Sequence, residues 1–172
     1  VTPGADAVLF LSFISGRNPD LLIGRHVESG MRIREMGMDV IPTGYMLIGD
    51  GPLTTAAYMS NSLPIPSAKK EIAVATAVAG EMLGLGALFM DAGSGAQQCI
   101  SPSTIRAVRD AVRCPIIVGG GIGDAASVQA AWQAGADLVV IGHALESRPF
   151  QLDWLPHPEA FSAKANPAEE QV

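Results

Sequence analysis

Apolar residues fall into short, near-continuous runs, Ala7–Phe13, Asp39–Ile48, Ala87–Asp91, Pro115–Gly119 and Leu138–Ile141, separated by longer stretches with helical periodicity. Runs without polar alternation suit strands covered on both faces, as in parallel sheets. The stretches between them predict helices over Leu21–Met36, Lys69–Leu85, Ser101–Val112 and Ala125–Ala134. Asn18–Pro19–Asp20 starts the first, Ser101–Pro102 places a cap and a first-turn proline on the third, and Ala134–Gly135–Ala136–Asp137 stops the fourth. Strand–helix alternation makes the fold class α/β with a parallel sheet. Five such units can make an open doubly wound sheet, whereas a closed barrel needs eight. Ile72–Met90 is the one long hydrophobic span; Glu81 at its middle and its glycines favour a buried helix followed by a buried strand over a membrane crossing. The body is expected over 1–148, with 149–172 as a poorly ordered C-terminal tail; the early first strand suggests that a leading part is missing.

Composition narrows the function classes. The chain is 48% hydrophobic and 16% charged, against a typical charged share of about 25%, which describes a densely buried protein and excludes disorder as the main state. Its net charge of −6 offers no basic face for a nucleic-acid backbone, so any anion must be held locally. Cys99 and Cys114, with no second pair, indicate neither a zinc site nor a disulfide framework and fit a reduced cytoplasmic compartment. His26, His143 and His157 show no metal-ligand spacing, and His26 reads as a helix-surface residue.

Three strand ends carry candidate chemistry. Gly119–Gly120–Gly121–Ile122–Gly123 lies between a strand and a helix start, where glycines let backbone N–H groups approach an anion and the helix N-terminus adds partial positive charge. Gly142–His143–Ala144 forms a second such terminus one βα unit later, a pairing that matches the phosphate site that barrels build after their last two strands. The same glycines could instead only permit tight turns. Asp91–Ala92–Gly93–Ser94–Gly95–Ala96 puts a carboxylate at another strand end, either as a general base for a substrate hydroxyl or as a capped turn. Ser94 lacks the nucleophile-elbow pattern and reads as a hydrogen-bond donor. Tyr45 reads as core or as a hydroxyl lining a pocket, and Arg17 as an anion contact or a solvated loop residue.

Taken in order, Ala5–Asp6–Ala7–Val8–Leu9–Phe10–Leu11–Ser12, Arg17–Asn18–Pro19, Ile41–Pro42–Thr43–Gly44–Tyr45, Tyr58–Met59–Ser60–Asn61, Asp91–Ala92–Gly93–Ser94–Gly95–Ala96 and Ile117–Val118–Gly119–Gly120–Gly121–Ile122 resemble the geranylgeranylglyceryl phosphate synthase family, over about Ala5 to Glu146. The Ala-Gly-Ser-Gly loop resembles the branch of archaea and some bacteria. The resemblance implies a (β/α)8 barrel of the TIM-barrel family, of which this chain covers about strands 4–8 with the first three βα units missing. It implies a magnesium-dependent prenyltransferase of ether-lipid biosynthesis, moving a geranylgeranyl-type group from an isoprenoid diphosphate to sn-glycerol 1-phosphate. Peripheral membrane contact and a homo-oligomer stay open.

By the same resemblance, Gly119, Gly120, Gly121, Gly142 and His143 match the glycerol-phosphate cradle, and Phe89, Met90, Ala92, Gly93, Ser94 and Gly95 surround Asp91 at the glycerol-contacting strand end. Phe89 and Asp91 stand where the family commonly has Tyr and Glu, and His143 where Thr or Asn is usual. The magnesium ligands would lie in the missing part, leaving this chain alone inactive. A noncatalytic phosphate-binding fragment and another phosphate-binding TIM-barrel enzyme are the competing readings.

Overall fold

A computed structural model describes residues 4–51 and 53–147; the expected tail, 149–172, lies outside them. In chain order the elements are β1 (Ala7–Phe13), a π-helical turn (Asp20–Gly24), α1 (Arg25–Glu35), β2 (Asp39–Leu47), α2 (Thr55–Ser60), α3 (Lys70–Met82), β3 (Ala87–Asp91), α4 (Pro102–Ala111), β4 (Ile116–Gly119), α5 (Ala125–Ala134), β5 (Leu138–Val140) and α6 (His143–Ser147). The five strands form one sheet in the order β1-β2-β3-β4-β5, with every pairing parallel. Consecutive order has no reversal of strand direction along the sheet, which separates it from the doubly wound alternative, where the order turns back at a switch point.

Each strand's two faces do different work. Met46, Leu88, Met90, Ile116 and Val118 point towards the helices and pack with Ala73 and Ala77 of α3, Ile105 and Val108 of α4, and Val128 and Ala131 of α5. This layer buries the apolar stripes that the helical periodicity marks out. The Ile72–Met90 span is α3 followed by β3, and among the described residues no helix is long and apolar enough to cross a membrane. On the opposite face the row Phe13, Tyr45, Phe89, Ile117 and Leu138 runs across all five strands in register. Towards the sheet edges this second face is uncovered: Leu9, Leu11, Ile41 and Leu138 keep 39–50% of their surface exposed.

The amino ends of the strands are tied by charge. Glu81, at the end of α3, accepts the backbone N–H groups of Arg113 (2.6 Å) and Cys114 (2.9 Å), and these bonds hold its carboxyl below the usual range. Arg109 pairs with Asp137 at 2.9 Å and also donates to the carbonyls of Val112 and Cys114, while Asp137 accepts the N–H of Ile116 at 2.8 Å. This end reads as structural, leaving the carboxyl ends for ligands.

Two of these expectations need correction. The helix expected over Leu21–Met36 is split, because the first turn is wound as a π-helix before α1 begins at Arg25. His26 is half-buried and does not lie openly on the helix surface: its ring stands edge-on to Phe10 at 4.3 Å, and its buried Nδ1 has no hydrogen-bond partner among the described residues. Two short helices were not anticipated. α2 is capped by Thr54, whose side chain accepts the N–H of Ala57, and is stopped by Asn61 in the left-handed region (φ 49°); α6 grows directly from Gly142.

Candidate functional site

The carboxyl ends of β3, β4 and β5 build one cavity of about 400 Å³, lined by Phe89, Asp91, Ser94–Ala96, Gly120–Gly123, Val140 and Gly142–Ala144. Its construction follows from register. Asp91 ends β3 level with Gly119 of β4, and Gly119 pairs with Val140 of β5, so the loops that leave these positions converge. Gly119, singled out from the sequence, does not itself line the cavity but is buried behind the lining. A Cβ there would sit 2.9 Å from the Phe89 ring and 3.3 Å from Val140, so only glycine lets Phe89 lean across β4.

Gly120 (φ +79°) and Gly121 (φ +70°) turn the chain at the cavity wall through a conformation that side chains resist. Cβ atoms on them would press to 2.6 Å on the nitrogen of Ala92 and to 2.7 Å on the carbonyl carbon of Gln98. The glycine loop therefore lies directly against the loop after β3. The backbone N–H groups of Gly120, Gly121 and Gly123 have no acceptor among the described residues. Among the described residues no Lys or Arg lines the cavity. An anion there would meet backbone dipoles and the start of α6, the local means of holding charge that a chain of net charge −6 requires.

Asp91 is held at both oxygens. Its Oδ1 accepts the N–H of Gly93 at 2.8 Å and its Oδ2 accepts the hydroxyl of Tyr45 at 2.5 Å. Tyr45 starts one pleat lower on the same face of β2, level with Phe89, and its ring packs edge-on between Phe13 (5.2 Å) and Phe89 (5.5 Å). Burial, followed by the Asp91 charge and its hydrogen bond, raises the phenol well above the usual tyrosine range.

Of the residues singled out from the sequence, Asp91, Phe89, Ser94, Gly95, Gly120, Gly121, Gly142 and His143 line this one cavity. Tyr45 reaches it through Asp91. Met90 does not belong to it: its side chain is fully buried in the helix-facing core, because alternation along β3 sends it away from Phe89 and Asp91. Ala92 faces a second cavity of about 440 Å³ towards Asp50, Thr54 and Ser67, which shares Ser94–Ala96 with the first. Gly93 acts through its N–H. Arg17 is exposed and donates to the neighbouring carbonyl of Gly16. Ala96, Ile122, Gly123 and Ala144, which the sequence marks only as members of their motifs, also line the cavity, as does Val140, which no motif contains. Ile122 and Gly123 sit inside the glycine motif and could have been included; Val140 needed the register.

A model of the PcrB family matches residues 1–155. The chain belongs to that family. A geranylgeranylglyceryl phosphate synthase of Chitinophaga pinensis is 56% identical over 142 residues, covering 83% of this chain and 56% of that relative. One of Spirosoma linguale is 48% identical over 149 residues, 87% of this chain and 60% of that protein. The crystal structure of (S)-3-O-geranylgeranylglyceryl phosphate synthase from Thermoplasma acidophilum, in complex with its substrate sn-glycerol-1-phosphate, superposes with a TM-score of 0.80 at 29% identity, over 85% of this chain and 58% of that one. The family resemblance carried by the motifs is thus borne out, and this PcrB-family chain spans 56–60% of the length of these relatives.

Proposed function

We propose that the cavity at the ends of β3, β4 and β5 binds sn-glycerol 1-phosphate, and that in the parent protein this site serves prenyl transfer from an isoprenoid diphosphate. The observation that supports it is the convergence of a carboxylate, Asp91, with two backbone cradles, Gly120–Gly123 and Gly142–His143, around one space of about 400 Å³. The cradles suit the phosphate, and Asp91 and Ser94 suit the glycerol hydroxyls. In the transfer the hydroxyl oxygen bonds to the allylic carbon, the carbon–oxygen bond to the diphosphate breaks, and the hydroxyl proton passes to Asp91 as general base.

The five strands correspond in this reading to strands 4–8 of an eight-stranded barrel. Four βα repeats run from Ala7 to Leu138, about 33 residues each. The 142 matched residues are 56% of the Chitinophaga relative, which therefore has about 110 residues outside the match, enough for about three more repeats. Five and three make the barrel count. The apolar face left exposed at Leu9, Leu11, Ile41 and Leu138 is the surface that such repeats would cover. Among the described residues no group of three His, Cys, Asp or Glu side chains could hold a metal ion. These residues do not by themselves fit magnesium.

Calorimetric titration tests the binding reading. The 172-residue chain should bind both sn-glycerol 1-phosphate and inorganic phosphate, and Gly120→Val should abolish both. Asp91→Asn should weaken glycerol phosphate about three- to tenfold, the value of one hydroxyl–carboxylate hydrogen bond, while leaving inorganic phosphate unchanged. Equal losses for the two ligands would remove Asp91 from the hydroxyl end.

A further inference from the structure

Resting on that assignment of Asp91, we infer that Tyr45 is a positioning residue: its hydroxyl fixes the Asp91 carboxylate in the orientation that meets the substrate hydroxyl and does not itself contact substrate. Several independent features carry this. The Tyr45 hydroxyl donates to Asp91 Oδ2 at 2.5 Å, shorter than the 2.8 Å bond from the Gly93 N–H to Oδ1. With one donor on each oxygen, the carboxylate plane is set, and each oxygen keeps a lone pair for a ligand. Without the phenol only the backbone contact would remain, and the carboxylate could rotate about its terminal bond, a soft torsion.

The phenol is built to stay where it is. Its ring is clamped edge-on by Phe13 at 5.2 Å and Phe89 at 5.5 Å. Register places Tyr45 beside Phe89, two residues below Asp91 on the neighbouring strand, so the length of a tyrosine, with its hydroxyl, spans one pleat to the carboxylate. Tyr45 is absent from the residues that line either cavity, while Asp91 lines the first. The one described hydrogen bond of its hydroxyl is thus the link between the β2 core and the reacting end of β3. Burial and the facing carboxylate keep the phenol protonated and therefore a donor throughout the range in which a base would work.

Two measurements on the full 172-residue chain decide it. The chain has two tyrosines, so Tyr58→Phe, which changes an exposed residue of α2, leaves Tyr45 as the only phenol. Its ionisation is then followed by the ultraviolet band of the phenolate, with and without Asp91→Asn. Loss of the Asp91 charge should move the Tyr45 ionisation to lower pH; an unmoved ionisation would overturn the inference without reference to any ligand. The second measurement is a cycle of glycerol phosphate affinities. Tyr45→Phe, which keeps the ring packing, should weaken sn-glycerol 1-phosphate about two- to fivefold, should not change inorganic phosphate, and should add nothing in an Asp91→Asn background. Additive losses would mean that Tyr45 meets the ligand itself or acts only through general stability, and would overturn the positioning role. If the chain binds no glycerol phosphate at all, the substrate reading falls, while the phenol titration still decides whether Tyr45 holds Asp91.

Discussion

Replacing Gly120 with alanine isolates the feature on which the cradle depends. The residue sits at φ +79°, and a non-glycine residue pays about 1–2 kcal/mol to adopt the left-handed region. The added Cβ would lie 2.6 Å from the Ala92 nitrogen, 2.6 Å from Asp91 Oδ1 and 2.7 Å from the Gly93 nitrogen. Two of these three are backbone atoms and cannot swing aside. To restore an ordinary 3.4 Å contact the loop after β3 would have to retreat by 0.7–0.8 Å, an overpacking that costs about 1–3 kcal/mol. The sum is about 2–5 kcal/mol, a large part of the 5–15 kcal/mol that stabilises a typical domain. Retreat also withdraws the Gly93 N–H from Asp91, so binding and stability fall together. Urea unfolding, read as a change in midpoint at constant slope, measures the first; calorimetric titration with sn-glycerol 1-phosphate measures the second. Gly30→Ala is the matched control. It lies inside α1 with no atom within 4 Å of the new methyl group, and should stabilise by up to about 1 kcal/mol through helix propensity. A Gly120→Ala chain with the wild-type midpoint and affinity would refute the view that the two loops are locked against each other.

Other outcomes follow from the same geometry. The 172-residue chain, spanning 56–60% of its relatives' length, should bind glycerol phosphate yet show no prenyl transfer with added isoprenoid diphosphate and magnesium; radiolabelled turnover would contradict the assignment of the remaining machinery to three further repeats. Tyr45 carries a pH dependence. Because its phenol is raised above the ordinary value of 10.0 in the folded protein, its contribution is fully present below that pH. As pH rises beyond it, the unfolded chain releases a proton that the folded one keeps, so stability falls by up to about 1.4 kcal/mol per pH unit. Tyr45→Phe should flatten that alkaline slope, and parallel slopes in the two chains would be the contrary result. Ser101→Ala removes the side chain that accepts the Thr104 N–H at the start of α4 and should cost about 1 kcal/mol in unfolding free energy.

The elements that were legible in the sequence are those with strong periodicity or strong punctuation. α5 runs over Ala125–Ala134 because Asp124 caps it and Gly135 ends it in the left-handed region, two signals written in single residues. β4 stood out because burial on both faces demands an unbroken apolar run, and all four of its residues are buried. The short helices α2 and α6 escaped because five or six residues hold less than two turns of pattern. At the site, glycines and a carboxylate at strand ends announce chemistry, but which face a residue takes is a matter of register. Phe89 and Asp91 enter the cavity and Met90 between them enters the core, a distinction that alternation along β3 offers once the strand's facing is known. The bond between Tyr45 and Asp91 joins residues 46 positions apart, and no local pattern encodes it.

The open sheet and the closed site are compatible because they draw on different interactions. Every loop around the cavity comes from three adjacent strands, β3, β4 and β5, and the contacts that shape it are short: Gly119 under Phe89, Gly120 against Ala92 and Asp91, Tyr45 beneath Asp91. None needs a strand beyond β5 or before β1. The apolar face is another matter, since Leu9 and Leu11 lie at one edge of the sheet and Leu138 at the other, and in the proposed barrel the further repeats would cover them. Under the proposed function, ligand capture at backbone amides would therefore be a local property of these repeats. Transfer from a longer isoprenoid diphosphate would, under the same proposal, call on the face that stays uncovered, so binding and turnover would separate along the line that divides the covered part of the sheet from its open edges.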